Sequence, residues 1–106
     1  ALRPLFTPQG PMWRHKMSIE ELRNEIDRID DEIINLLGKR KDLVAEIAKI
    51  KKESDNPVYD KDREQKIIGK LKKMAKEKGL DENFVSSLYA IILKDSKENQ
   101  ERIVKH

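Results

Sequence analysis

SIEELRNEIDRIDDEIINLLGKRKDLVAEIAKIKKESDNP, residues 18–57, is the stretch whose reading decides the fold. It opens on a capping box, Ser18-Ile19-Glu20-Glu21, in which the Ser18 hydroxyl accepts from a first-turn amide and Glu21 reaches back to the cap. Apolar residues then recur at Leu22, Ile26, Ile29, Ile33 and Leu36, and again at Leu43, Ile47 and Ile50, the alternating four-three spacing of one helix face. Ser54-Asp55-Asn56-Pro57 ends the pattern, because proline disfavours a helical predecessor. The spacing predicts one helix of about 36 residues, or some 54 Å at about 1.5 Å per residue. A helix of that length cannot bury its stripe against two shorter helices of its own chain. It calls for a partner.

Those shorter helices follow. The second is expected to start at Asp60 and carry Ile67, Ile68, Leu71, Met74 and Ala75, with Gly79 as a left-handed cap. Asp81 caps the third, which carries Phe84, Val85, Leu88, Ile91, Ile92 and Ile103. No segment alternates with period two as a half-buried strand does. The fold class is therefore all-α, a three-helix chain with one long N-terminal helix, and no internal repeat, linker or second domain is evident. Gly38, in the middle of the long helix, costs about 1 kcal/mol relative to alanine. It reads either as a point of close helix approach or as a tolerated defect.

Composition supports self-association. The chain has 106 residues, 41% charged and 37% hydrophobic with only 5% aromatic, and a domain of this size buries only roughly 60–70% of its unfolded surface. There is no cysteine, so neither a disulfide nor a thiolate metal site can add stability, and His15 and His106 lie near the chain ends. Oligomerisation is the remaining source. The net charge of +3 does not mark a nucleic-acid binder. Of the 23 Lys and Arg, three (Arg3, Arg14 and Lys16) lie in residues 1–16, which hold no acid, and the 20 that remain balance all 20 Asp and Glu. Acids and bases interleave along the helices, where a phosphate-binding surface needs a segregated basic face.

Residues 1–16, ALRPLFTPQGPMWRHK, have three prolines, one glycine and no helical period. They read as a disordered leader, either an expression-vector remnant or a native extension, with Met17 as a natural start and residues 17–106 as the folded domain. On the first reading Trp13 reports on the leader alone. The segment lacks the apolar run of a signal peptide, and no stretch approaches the roughly 20 apolar residues of a membrane span. A cytoplasmic location without membrane contact is expected.

The informative residues are those that interrupt the apolar stripes. On the first helix the stripe passes from Leu36 through Arg40 to Leu43, and Lys51 lies within about 20° of Arg40 by rotation. Glu64 shares the face of Ile67, Ile68 and Leu71, and the row Leu88, Ile92 continues into Ser96 and Gln100. Each residue alone has an ordinary structural reading. Arg40 or Lys51 can snorkel to solvent, Glu64 can be a surface ion-pair partner, and Ser96 and Gln100 can mark a fraying helix end. Together they place polar groups on three core faces, where unpaired charge is expensive and where helical bundles build ligand sites. With Arg63 beside Glu64 the set is net positive, suited to a small polyanion. Arg23 lies about 25 Å along the helix from Arg40 and roughly 100° off its face. Alone it reads as a surface residue, but in an antiparallel pair of long helices it could enter the partner's site.

The pattern Leu22-Arg23, Leu36-Leu37-x-x-Arg40, Lys51, Pro57-Val58-x-Asp60-x-x-Arg63-Glu64 and Asp95-Ser96-x-x-x-Gln100 resembles the all-helical, AroQ-type chorismate mutases over about residues 18–104. The resemblance implies a three-helix chain intertwined with a second copy as a homodimeric helical bundle with two equivalent sites. It implies rearrangement of chorismate to prephenate, on the route to phenylalanine and tyrosine, with no metal or cofactor. By the same resemblance, Arg40 of one chain and Arg23 of the other hold substrate carboxylate, and Arg63 and Ser96 stand near the other carboxylate. Lys51 and Gln100 donate to the ether oxygen, and Glu64, helped by the Asp60 backbone, holds the ring hydroxyl. Some family members carry glutamate at the position of Gln100, which must be protonated to donate; the glutamine amide donates at any pH, so activity is not expected to require acidic conditions.

Two other readings compete. Isochorismate–pyruvate lyases resemble these mutases and use related polar contacts. A non-catalytic helical oligomerisation module explains the long stripe but leaves Arg40, Lys51, Glu64, Ser96 and Gln100 without a purpose. Substrate turnover separates the three.

Overall fold

The computed structural model of the chain describes residues 6–7, 10–11 and 17–105. Within the expected leader, two strands of two residues each, β1 (Phe6–Thr7) and β2 (Gly10–Pro11), pair antiparallel with Phe6 opposite Pro11 and Thr7 opposite Gly10. The rest of that expected leader up to residue 16, Trp13 included, lies outside the described residues. Three helices follow: α1 (Ile19–Ser54), α2 (Lys61–Glu77) and α3 (Glu82–Lys105).

Each boundary has a local chemical cause. Ser18 Oγ accepts from the Glu21 amide at 3.1 Å, and Glu21 Oε1 accepts from the Ser18 amide at 3.4 Å, the reciprocal bonds of a capping box. At the other end of α1, Asp55 takes the left-handed conformation (φ 58°). The Asn56 amide then folds back onto the Lys51 carbonyl at 3.0 Å, a Schellman closure. Aspartate tolerates that backbone region better than most residues, and Pro57 prevents the helix from resuming. Asp60 caps α2 by accepting from the Arg63 amide at 3.0 Å. Gly79 (φ 71°) ends α2, with the Leu80 amide on the Ala75 carbonyl at 2.8 Å. Asp81 then caps α3 through the Asn83 amide at 2.8 Å.

The chain divides into two compact units, residues 1–38 and 39–106. In the first, the apolar stripe of α1 stands largely in the open, with Ile26, Ile29, Ile33 and Leu36 each about half exposed (48–60%). In the second, α2 packs on α3, and Val44, Ala48, Ala75, Val85 and Leu93 are the buried apolar residues among those described. Ala75 and Val85 are buried as expected, while on α1 the row buried within this one chain lies beside the apolar stripe. On α1 the buried positions are Val44 and Ala48, which share a face with half-buried Arg40 and Lys51, while Leu43, Ile47 and Ile50 stay exposed. On α3 the expected Val85 is buried, together with Leu93 and Ser96, whereas Phe84, Leu88 and Ile91 remain exposed.

The two glycines of the sequence reading now separate. A Cβ at Gly38 would meet no atom within 4 Å, so nothing among the described residues approaches it closely. A Cβ at Gly79 also has open space, but its positive φ penalises any L side chain. Gly38→Ala is therefore expected to raise stability and Gly79→Ala to lower it, each by about 1 kcal/mol. Urea melts at one fixed chain concentration test this. Shifts of the same sign in both variants would contradict it.

Candidate active site

A groove of about 310 Å³ runs between the C-terminal part of α1, the connection to α2, the first turns of α2 and the second half of α3. Helical geometry fixes its walls. Arg40, Val44, Ala48 and Lys51 fall at intervals of four, four and three, so the cations stand at both ends of the buried α1 face. Ser96 and Gln100 are one turn apart on α3. Asp60, Arg63 and Glu64 sit at the capped start of α2. Seven of the eight residues singled out from the sequence, Arg40, Lys51, Asp60, Arg63, Glu64, Ser96 and Gln100, line this one groove. The eighth, Arg23, is an exposed residue of the other compact unit.

Two hydrogen-bonded pairs tie α1 to α3. Arg40 Nη1 donates to the Ser96 hydroxyl, which itself donates to the Ile92 carbonyl at 3.0 Å. Ser96 is the buried polar residue of the described core. Its hydroxyl is thus engaged as donor and acceptor at once, and it holds the guanidinium in the groove. Lys51 Nζ donates to the Val58 carbonyl at 3.0 Å and to Gln100 Oε1 at 3.1 Å. An ammonium has three N–H bonds and no acceptor. Two of them are therefore committed to protein, and the third is left for a ligand. The same bond fixes Gln100: its carbonyl oxygen faces Lys51, which leaves the Nε2 amide hydrogens as donors.

The groove carries a net positive charge. Among the described residues the ion pairs are Arg28–Glu25 and Lys49–Glu46, both exposed pairs along α1, so no groove cation is neutralised by a carboxylate at contact distance. Asp60 uses one carboxylate oxygen to cap α2, and its carbonyl accepts the Glu64 amide at 3.1 Å. Glu64 makes no side-chain hydrogen bond among the described residues and faces the groove half-buried. A concave site with unpaired guanidinium and ammonium groups, flanked by one available carboxylate, suits a small ligand with carboxylate groups and a hydroxyl. Among the described residues no group of His, Cys, Asp and Glu is placed to hold a metal ion, and no helix is long and apolar enough to cross a membrane.

Three groove features escaped the sequence. The Val58 carbonyl is backbone and carries no sequence signal for a role. Tyr59 belongs to the short connection between α1 and α2, where no period assigns a face. Lys97 lines the groove as well. It lies four residues after Leu93, so the i, i+4 row that would have found it was hidden only because Leu93 itself was not read as core.

Comparison with known proteins converges on one family. Residues 22–101 match the family model described as chorismate mutase type II. The chain is 31% identical over 87 residues to a chorismate mutase of Methanocaldococcus jannaschii, covering 82% of this chain and 88% of that protein. It is 37% identical over 90 residues to the bifunctional chorismate mutase/prephenate dehydratase of Buchnera aphidicola subsp. Baizongia pistaciae, covering 85% of this chain and 24% of the relative. Against the bifunctional chorismate mutase/prephenate dehydratase of Escherichia coli K12 the identity is 32% over 84 residues, covering 79% and 22%. The chain thus spans about a quarter of the length of these bifunctional relatives.

The Lys51–Val58 bond ties the backbone of the connection between α1 and α2 to the end of α1. Lys51→Met keeps the apolar stem and removes both bonds, so amide hydrogen exchange at Arg63 and Glu64, whose amides bond to Asp60 at the end of that connection, is expected to quicken by about tenfold, the equivalent of roughly 1.4 kcal/mol. Unchanged exchange there would show that the Lys51 bonds do not hold the connection.

Proposed function

The chain belongs to the chorismate mutase type II family, and on that premise we propose that it rearranges chorismate to prephenate in the Arg40–Gln100 groove. The observation that carries this reading is the Lys51–Gln100 pair: one ammonium hydrogen and the Gln100 amide remain to donate from neighbouring positions in a groove lined by two uncompensated guanidinium groups. The reaction is an intramolecular shift in which the ether C–O bond breaks as a C–C bond forms. No proton, electron or nucleophile is exchanged with the protein. The enzyme has two tasks: to hold the compact diaxial conformer, and to stabilise the negative charge that gathers on the ether oxygen.

Arg40 and Arg63 serve the first task by fixing carboxylates, since a planar guanidinium meets a carboxylate with two bonds. Ser96 supports Arg40 from behind. Glu64 accepts from the ring hydroxyl, and the Asp60 backbone amide, which has no partner among the described residues, donates to it. Lys51 and Gln100 serve the second task. A fixed donor aimed at developing negative charge contributes on the order of 3 kcal/mol, and Lys51 is fixed by Val58 and Gln100 before any substrate arrives.

We further propose that the working form is an intertwined homodimer in which Arg23 of each chain completes the partner's groove. The half-exposed stripe from Ile26 to Leu36, continued by Leu43, Ile47 and Ile50, supports this, as does a core of five buried apolar residues among those described. The proposed location is the cytoplasm, and the substrate is the only proposed ligand.

Chorismate consumption followed by ultraviolet absorbance, with prephenate identified as product, tests the reaction. Arg23→Ala and Arg40→Ala are each expected to be nearly inactive. Refolded together in equal amounts, they are expected to recover about a quarter of wild-type activity, because half of the dimers are mixed and each mixed dimer has one intact site. No recovery, with both variants folded and dimeric, would refute the shared site. No turnover by the folded wild type would refute the mutase reading and direct attention to isochorismate.

A further inference from the structure

A second cavity, of about 710 Å³ and lined by α2 and α3, begins where the groove ends. The two share Tyr59, Glu64, Leu93 and Lys97, so Lys97 and Tyr59 stand on the boundary between them. Lys97 is half-buried, and its ammonium sits 4.6 Å from the centroid of the Tyr59 ring, within the range of a cation–π contact. Tyr59 follows Val58, the residue whose carbonyl holds Lys51. The connection between α1 and α2 is therefore gripped by two lysines from opposite helices, Lys51 of α1 on its backbone and Lys97 of α3 on its aromatic ring.

The two grips differ in consequence. Lys51 is committed by two hydrogen bonds, whereas Lys97 makes no hydrogen bond or ion pair among the described residues. The ring face attracts the charge without consuming any of its three N–H donors. On a flexible four-carbon stem an ammonium otherwise spends much of its time in bulk water. The ring keeps it at the rim of the groove with all its donors available.

We propose that Lys97 is a substrate-capturing cation of the groove and that Tyr59 is its positioning residue. This rests on the mutase reading, in which the ligand is a dicarboxylate. Without Lys97, this chain's groove carries Arg40, Lys51 and Arg63 against Asp60 and Glu64, a net of one positive charge; Lys97 doubles it. A cation at the rim acts on capture of the dianion more than on the bond-breaking step, which belongs to Lys51 and Gln100. Its effect is screened by salt, because the rim is in contact with solvent and the screening length is only about 8 Å at physiological ionic strength.

Steady-state chorismate kinetics at low and high salt test this with four variants. Lys97→Met is expected to raise KM roughly threefold to tenfold at low salt, to change kcat less than KM, and to lose most of that penalty in high salt. Lys97→Arg and Tyr59→Phe keep the charge and the ring face and are expected to stay close to the wild-type KM. Tyr59→Leu, folded by circular dichroism, is expected to show part of the Lys97→Met penalty. Wild-type KM in Lys97→Met at low salt, or an equal penalty at both salt concentrations, would overturn the role of Lys97. A Tyr59→Leu variant with wild-type KM would overturn the positioning by the ring. If the wild type itself turned over no chorismate, the mutase reading would fall and this inference with it, an outcome distinct from an active wild type whose KM ignores Lys97.

Discussion

The Lys51 ammonium is the contact on which the rest of the site depends. A charge on the inner face of a helix is costly unless it finds acceptors, and Lys51 finds two, the Val58 carbonyl and Gln100 Oε1. Those two bonds reach in different directions. One pulls the connection after α1 across the helix end and so sets where α2 begins, which places Asp60, Arg63 and Glu64. The other reaches α3 and orients the Gln100 amide. A single side chain thus aligns elements from three parts of the sequence, and the site is organised before a ligand enters. That preorganisation is the physical basis for stabilising a developing charge without rearranging the protein at the moment of reaction.

Much of this was legible in the sequence because helix boundaries are written in short-range chemistry. The Ser18–Glu21 box, the Pro57 stop, the Asp60 cap, the glycine at 79 and the Asp81 cap each act within a few residues, and α1 spans the 36 residues that its spacing indicates. Site residues were legible for a related reason: a polar residue in an apolar helical row stands out against the period. Five residues marked in this way, Arg40, Lys51, Glu64, Ser96 and Gln100, meet in one groove with Arg63, marked by its place beside Glu64, and Asp60, marked as a site residue by the family resemblance. What the sequence hid was which rows are buried within the chain and the contacts that Val58 and Tyr59 make in the connection between α1 and α2. Leu43, Ile47 and Ile50 continue the stripe, yet Val44 and Ala48 are the buried neighbours. A small turn of a helix decides between such positions, and that turn is set by tertiary packing. Tyr59 and the Val58 carbonyl had no periodic pattern to betray them.

The distribution of apolar surface explains why catalysis and assembly are proposed to be inseparable here. The buried apolar set is small and made of short side chains, with alanine prominent, while isoleucines and leucines of α1 remain half exposed. The polar face of α1 that lines the groove and the apolar stripe beside it are adjacent rows of the same helix. A second copy covering the stripe would lie close to the groove mouth, where an arginine from its own first helix could enter. Stability and active-site completion would then come from one interface, as expected of a chain too small to build a large core alone.

The central claim is that Lys51 stabilises the breaking ether bond and does more than organise the groove. The most direct test is kcat at saturating chorismate for Lys51→Met, alongside prephenate binding by calorimetry. The account predicts a loss of roughly a hundredfold to a thousandfold in kcat, the scale for removing one preorganised donor, while prephenate binding weakens far less. A kcat within a few-fold of wild type in a folded variant that still binds prephenate would contradict it.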